Sequence, residues 1–290
     1  MRLRYRIALA LAATAAVCFV FVGRAPPEPS FQGRPLSDWL DELSGTNAEE
    51  ATSAVRAIGT NAVPTLLRLV RSKPTALDLV LRSPDDEGTT LIVEAEDQRA
   101  RGIAGFRALG PAAQGAAPAL IKLADDFQAD AERALVAIGP GAVDCLIEAL
   151  QHEETKLSAP HALCSFGRAA IPAVPRLITL LSNPNSDVRE QVANALGKIG
   201  EESDLVVPAL IKTLGDREYH VRSEAMRALG RFGHRAENAV PALLVVRKNS
   251  RIYAEILDAY SALKKIDPEV AASKGVAVLP QPMVPPMYRP

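Results

Sequence analysis

Leu196, Gly200, Val207, Pro208 and Leu210 recur 33 residues later as Leu229, Gly233, Val240, Pro241 and Leu243. Val188-Arg189 falls on Val221-Arg222 under the same shift. A period of this length marks stacked supersecondary units, none of which can bury its apolar face alone. Weaker copies run through Ala57-Ile58-Gly59 to Pro64, Ala108-Leu109-Gly110 to Pro118, Ala137-Ile138-Gly139 to Val143, and Ser165-Phe166-Gly167 to Pro175. A degenerate copy ends at Ile266-Asp267-Pro268. The glycines at 59, 110, 139, 167, 200 and 233 are mostly 28 to 33 apart, with one interval of 51.

Each unit predicts two helices. Val188, Val192, Ala195, Leu196 and Ile199 recur at helical spacing and form one apolar stripe. The following glycine predicts a left-handed residue that ends the first helix. The proline then starts the second, where its missing N–H costs nothing and its φ is already set. Apolar residues make up 48% of the chain and aromatics only 4%. Alanine and leucine therefore fill the core, as suits closely packed helices rather than strands.

The series Asp187-Val188-Arg189 … Ala195-Leu196-Gly197-Lys198-Ile199-Gly200 … Val207-Pro208-Ala209-Leu210-Ile211, with its copy 33 residues on, resembles the HEAT repeat. It is most similar to the short bacterial subclass of phycobilisome-lyase type. The likeness spans roughly residues 47 to 266 and is clearest from Ser182 to Leu244. It implies an all-α, right-handed α-α superhelix of the HEAT/armadillo kind with about six units. Gly33-Arg34-Pro35-Leu36-Ser37-Asp38-Trp39-Leu40 resembles the lead-in helix of secreted or tethered bacterial HEAT proteins. Ser37 is the expected N-cap, and Trp39, the sole tryptophan, is expected to pack on the first repeat. In HEAT arrays, Arg189 and Arg222 are expected to form a ladder with acids of neighbouring turns; a ligand-reading row is the sharper alternative.

The flanks divide the chain into a hydrophobic segment at 1–24, a Pro-rich linker at 25–35, a solenoid at 36–273 with an insertion at 72–94, and a Pro-rich tail at 274–290. Ile7 to Val22 carries no charge and follows three arginines. Its length lies between a signal-peptide core and a full membrane span. An uncleaved anchor is the expectation and a cleaved signal the alternative, with the body outside the cytoplasmic membrane in either case. The acidic Pro84-Asp85-Asp86-Glu87-Gly88 is expected as a turn in the insertion.

Chemistry is sparse. Four of the 33 basic residues flank the first segment, leaving 29 against 34 acidic residues, a net of −5. That balance argues against nucleic acid, which demands a basic stripe. Cys145 and Cys164 lack metal-ligand spacing, and whether they pair stays open. HEAT-like deoxyhypusine hydroxylase uses several His-Glu pairs to hold two irons, whereas here His152-Glu153 is alone. His161, His220 and His234 lack acidic partners at ligand spacing in the sequence. No catalytic residue, cofactor or metal is therefore expected. The expected function is a non-enzymatic, membrane-tethered scaffold for an unknown protein or peptide. The alternative is a HEAT-like lyase or chaperone that attaches a cofactor to a partner protein.

Overall fold

The computed structural model describes residues 27–73 and 89–273, with side chains outside that description at 89–94 and 124–128. The chain is a stack of helix pairs entered through a small hairpin. Strands β1 (Ser30–Phe31) and β2 (Arg34–Pro35) pair antiparallel across Gln32-Gly33. Both turn residues have positive φ (52° and 77°), matching the tight turn that the twist of such a hairpin favours. Helix α1 (Leu36–Glu42) follows at once.

The body comprises α2 (Ala48–Ile58), α3 (Val63–Val70), α4 (Thr89–Leu109), α5 (Ala117–Ile138), α6 (Gly141–Ala149), α7 (Ser158–Cys164) and α8 (Val174–Leu180). It continues through α9 (Ser186–Ile199), α10 (Ser203–Thr213), α11 (Tyr219–Phe232), α12 (Val240–Asn249), α13 (Tyr253–Ile266) and α14 (Pro268–Ser273). First helices stack on first helices: α9 packs on α11, and α11 on α13. One apolar cluster runs from Leu36 to Ala271. The stripe foreseen on α9 is buried throughout, with Val192, Ala195 and Leu196 at 0% exposure.

Trp39 lies at the entry end and is 2% exposed. Its indole N–H donates to the Phe31 carbonyl at 3.4 Å, and the Arg34 guanidinium sits 4.0 Å from the ring centroid. Arg101 of α4 reaches Asp41 at 2.6 Å and so ties α1 to the second unit. The expected cap at Ser37 is not there. Pro35 occupies the N-cap position, and Ser37 lies inside the helix. The Ser37 N–H donates 2.7 Å to a Glu28 carboxylate oxygen, so an acid from the preceding segment meets the helix end. Residues 27–35 are thus folded onto the body.

Three further expectations change. Gly200 ends α9 in the left-handed region (φ 68°, ψ 18°), but Gly59 and Gly233 combine positive φ with ψ of −143° and −139°. A β-carbon would be strained there, and the chain passes straight into short 3-10 runs at Gly59–Ala62 and Gly233–Ala239. Pro64, Pro118, Pro175 and Pro241 sit in the first turn of their helices. Pro208 does not. With Gly200 left-handed and Glu202 also at positive φ, α10 begins at Ser203, more than a turn ahead of the proline. Finally, the second helix of one unit and the first helix of the next are a single rod, α5. Between Pro118 and Gly139 no glycine or proline interrupts the chain, so nothing stops the helix.

The expected single-pass membrane placement is corrected. Among the described residues, no helix is long and apolar enough to cross a membrane. The segment at 1–24 that motivated it, most of the insertion and the tail at 274–290 lie outside the described residues.

Candidate functional site

A cleft of about 490 Å³ with an apolar floor and a charged rim lies between α5, α6 and the segment that follows α6. Its floor is apolar. Ile121 projects from α5 and is 2% exposed, and Ala149 comes from α6 at 7%. After α6 the chain does not extend away. Thr155 is buried and its hydroxyl donates to the Ala149 carbonyl at 2.7 Å, while the His152 N–H donates to that same carbonyl at 3.2 Å. This curl turns His152, Glu153 and Glu154 outward along the rim.

The rim is acidic. Glu153 is engaged by Lys156. Among the described residues, exposed Glu148 and Glu154 have no ion-pair partner, and Lys122 is the lysine of the lining. Cys145 opens into the cleft and is free, as is Cys164. Burial raises the Cys145 thiol above its usual range, and the carboxylates of Glu148 and Asp144 raise it further. Burial pushes Cys164 up to about 11. Both thiols stay protonated near neutral pH, which makes them poor nucleophiles.

The residues singled out from the sequence are dispersed along the stack as packing elements. Arg189 is held in a fork with Asp216, its Nε and Nη2 each 2.7 Å from a carboxylate oxygen, and its Nη1 donates to the Asn183 and Pro184 carbonyls. Arg222 repeats the design one unit on. It pairs with Glu255 at 2.5 Å and donates to the Asp216 and Arg217 carbonyls. The Arg189 hydrogen bonds draw the Asp216 carboxyl below its ordinary value of 3.8. Burial opposes ionisation of Glu255, but hydrogen bonds from Arg222 and Ser250 outweigh it and the net shift is downward.

Sequence reasoning missed an earlier rung. Arg99 of α4 lies 2.8 Å from Asp130 and donates to the Ser72 carbonyl at 2.8 Å. The signal was present: Asp97-Gln98-Arg99 has the spacing of Asp187-Val188-Arg189. Two histidines also gain acids invisible at sequence spacing. His161 Nδ1 meets Glu132 of α5, and His220 comes near Asp187 and Glu190 of α9. His152 is exposed on the cleft rim and His234 is exposed beyond α11.

Residues 143–207 match the family model of HEAT repeats, and residues 221–246 match that of the PBS lyase HEAT-like repeat. The chain therefore carries HEAT-like repeats, including repeats of the PBS lyase type. Among solved structures it is similar to an engineered protein from a structural genomics consortium (TM-score 0.43, 22% identity, covering 80% of this chain and 96% of that one). It is also similar to a designed armadillo repeat protein in complex with the peptide (KR)4 (TM-score 0.45, 18% identity, 80% and 99%). A third is the complex of CpcE and CpcF of phycocyanin lyase from Nostoc sp. PCC7120 (TM-score 0.33, 17% identity, 84% and 98%). No curated protein matches the chain at a significant level.

Proposed function

We propose that this solenoid is a non-enzymatic scaffold for protein–protein interaction, and that the cleft between α5 and α6 receives a cationic, partly apolar segment of the partner. The observation that carries this reading is the pairing of an apolar floor at Ile121 and Ala149 with the carboxylates of Glu148 and Glu154, which have no ion-pair partner among the described residues. Apolar contact supplies affinity, while complementary charge supplies orientation and rejects acidic competitors. The protonated state of both described cysteines supports a binding role over covalent chemistry.

Fluorescence anisotropy with a short lysine–leucine peptide, against its glutamate-for-lysine counterpart, tests the proposal. The cationic peptide is expected to bind the intact chain at least about tenfold more tightly, the scale of one desolvated charge contact. Reversing both charges (Glu148→Lys with Glu154→Lys) is expected to abolish that preference. Equal binding of the two peptides to the unaltered chain would overturn the assignment.

A second reading, a lyase or chaperone that attaches a cofactor to a partner, draws on the match of residues 221–246 to the PBS lyase HEAT-like repeat. It requires turnover. Covalent transfer of a tetrapyrrole to an acceptor protein, dependent on the intact chain, is the result that would favour it.

A further inference from the structure

The N-terminal ends of α9 and α11 bring a histidine and two carboxylates to one point. Asp187 and Glu190 are three residues apart and so project from the same side of α9. His220 occupies the position of α11 that Asp187 occupies in α9, one 33-residue period earlier. Stacking lays these equivalent positions side by side. One ligand atom from each of the three residues lies within 4.8 Å of the other two. His220 Nε2 is 4.0 Å from Asp187 Oδ1, too far for a hydrogen bond. That nitrogen is closed to solvent and has no hydrogen-bond partner among the described residues, although 37% of the ring's side-chain surface is exposed. A shielded polar atom without a partner is rare, and one aimed at two carboxylates calls for a bridging group.

We propose that Asp187, Glu190 and His220 form a binding site for a divalent transition-metal ion of the zinc class, clipping two consecutive repeats together. The donor set decides the class. Calcium takes six to eight oxygens and magnesium keeps much of its water, whereas imidazole with carboxylate suits zinc. Zinc–ligand bonds near 2.0–2.2 Å in a tetrahedron set donors roughly 3.3–3.5 Å apart. The three side chains must therefore close by about an ångström, which Asp187, 65% exposed at its side chain, is free to do. Asp187 and His220 lie in the first turns of their helices, where the helix ends carry partial positive charge. Two full carboxylate charges outweigh those fractional ones. Three protein donors leave a fourth position for water or a partner's side chain, as in open zinc sites. The site is separate from the α5–α6 cleft and does not depend on it.

Equilibrium dialysis of the intact chain against zinc chloride tests the site. The unaltered protein is expected to bind one ion that His220→Ala and Glu190→Gln each weaken at least tenfold, whereas His152→Ala, remote from the cluster, leaves it unchanged. Cobalt substitution supplies an independent readout: the visible absorption of a low-coordinate ion appears with the unaltered chain and is lost in His220→Ala. Zinc at one hundred times its Kd is expected to raise Tm by about 5 °C or more, the shift linkage gives for a domain of this size. With chelator present, His220→Ala melts with the unaltered protein, which separates loss of metal from loss of fold. Equal zinc affinity in the unaltered chain and in His220→Ala would overturn the proposal.

Discussion

The stretch from α9 to α13 and the stretch from α4 to α7 are built from the same kind of unit, yet they stack differently. In the first, successive units keep a 33-residue register, and equivalent positions meet. Gly197 of α9 lies so close to α11 that a β-carbon would fall 2.6–2.7 Å from Ala228, and Gly230 repeats the contact against Ala262 at 3.2 Å. Arg189–Asp216 and Arg222–Glu255 fasten each unit to the next. In the second stretch a second helix and the following first helix are fused into α5, and α7 has only seven residues. Clefts of about 490, 580 and 600 Å³ open along that rod. The regular stretch carries a somewhat smaller cleft, of about 460 Å³, beside Arg189 and Asp216, so the break in register adds open space along α5 and does not alone create it.

Four experiments sharpen or break this contrast. The largest effect is expected at the arginine ladder. Arg189 and Asp216 have side chains only 7% and 10% exposed, and Arg189→Ala leaves a nearly buried acid without its cation. A loss of about 3–5 kcal/mol in urea unfolding is expected. Arg99→Ala, in the irregular stretch, breaks a pair that is 17% and 20% exposed and is expected to cost about half as much. Equal losses would remove the distinction between the two stretches.

Next comes helix spacing. Gly197→Ala is expected to destabilise by about 1–3 kcal/mol because the added carbon meets the Ala228 backbone. Gly115→Ala, where nothing lies within 4 Å, is expected to be neutral or to gain up to ~1 kcal/mol from reduced chain freedom in the unfolded state. A neutral Gly197→Ala would show that α9 and α11 part easily.

Acid titration gives a smaller signal. Asp216 and Glu255 both ionise below their ordinary values of 3.8 and 4.5 when folded. Stability from a depressed carboxyl is complete above its unfolded pKa and is lost as pH falls through the folded one. Unfolding free energy is therefore expected to fall as pH drops below about 4.5, and less steeply in Asp216→Asn. The smallest effect is chemical. With its thiol at about 11, Cys164 is expected to resist alkylation at pH 8 in the folded chain and to react once urea unfolds it.

The helices, their apolar stripes and their punctuation were legible because each is local. Val188 to Ile199 carries its own periodicity, and Pro241 marks its own first turn. The fused α5 was legible too, in twenty residues without glycine or proline, but the expectation of a regular repeat obscured it. The cap on α1 was not. Ser37 has the right chemistry, yet Glu28 reaches the helix end because a hairpin folds it back. The cleft floor was equally hidden: Ile121 and Ala149 are ordinary core residues until the curl after α6 leaves them facing an acidic rim.

By itself the sequence determined that this chain is a stack of short helix pairs, since spacing of apolar residues and turn-formers is a property of the chain alone. The tertiary structure decided which charges meet. Arg99 finds Asp130, His161 finds Glu132, and His220 finds Asp187 and Glu190, at separations near one repeat. Those pairings depend on how closely and at what offset one helix lies on the next, and small residues such as Gly197 and Ala228 set that distance only once the units have packed.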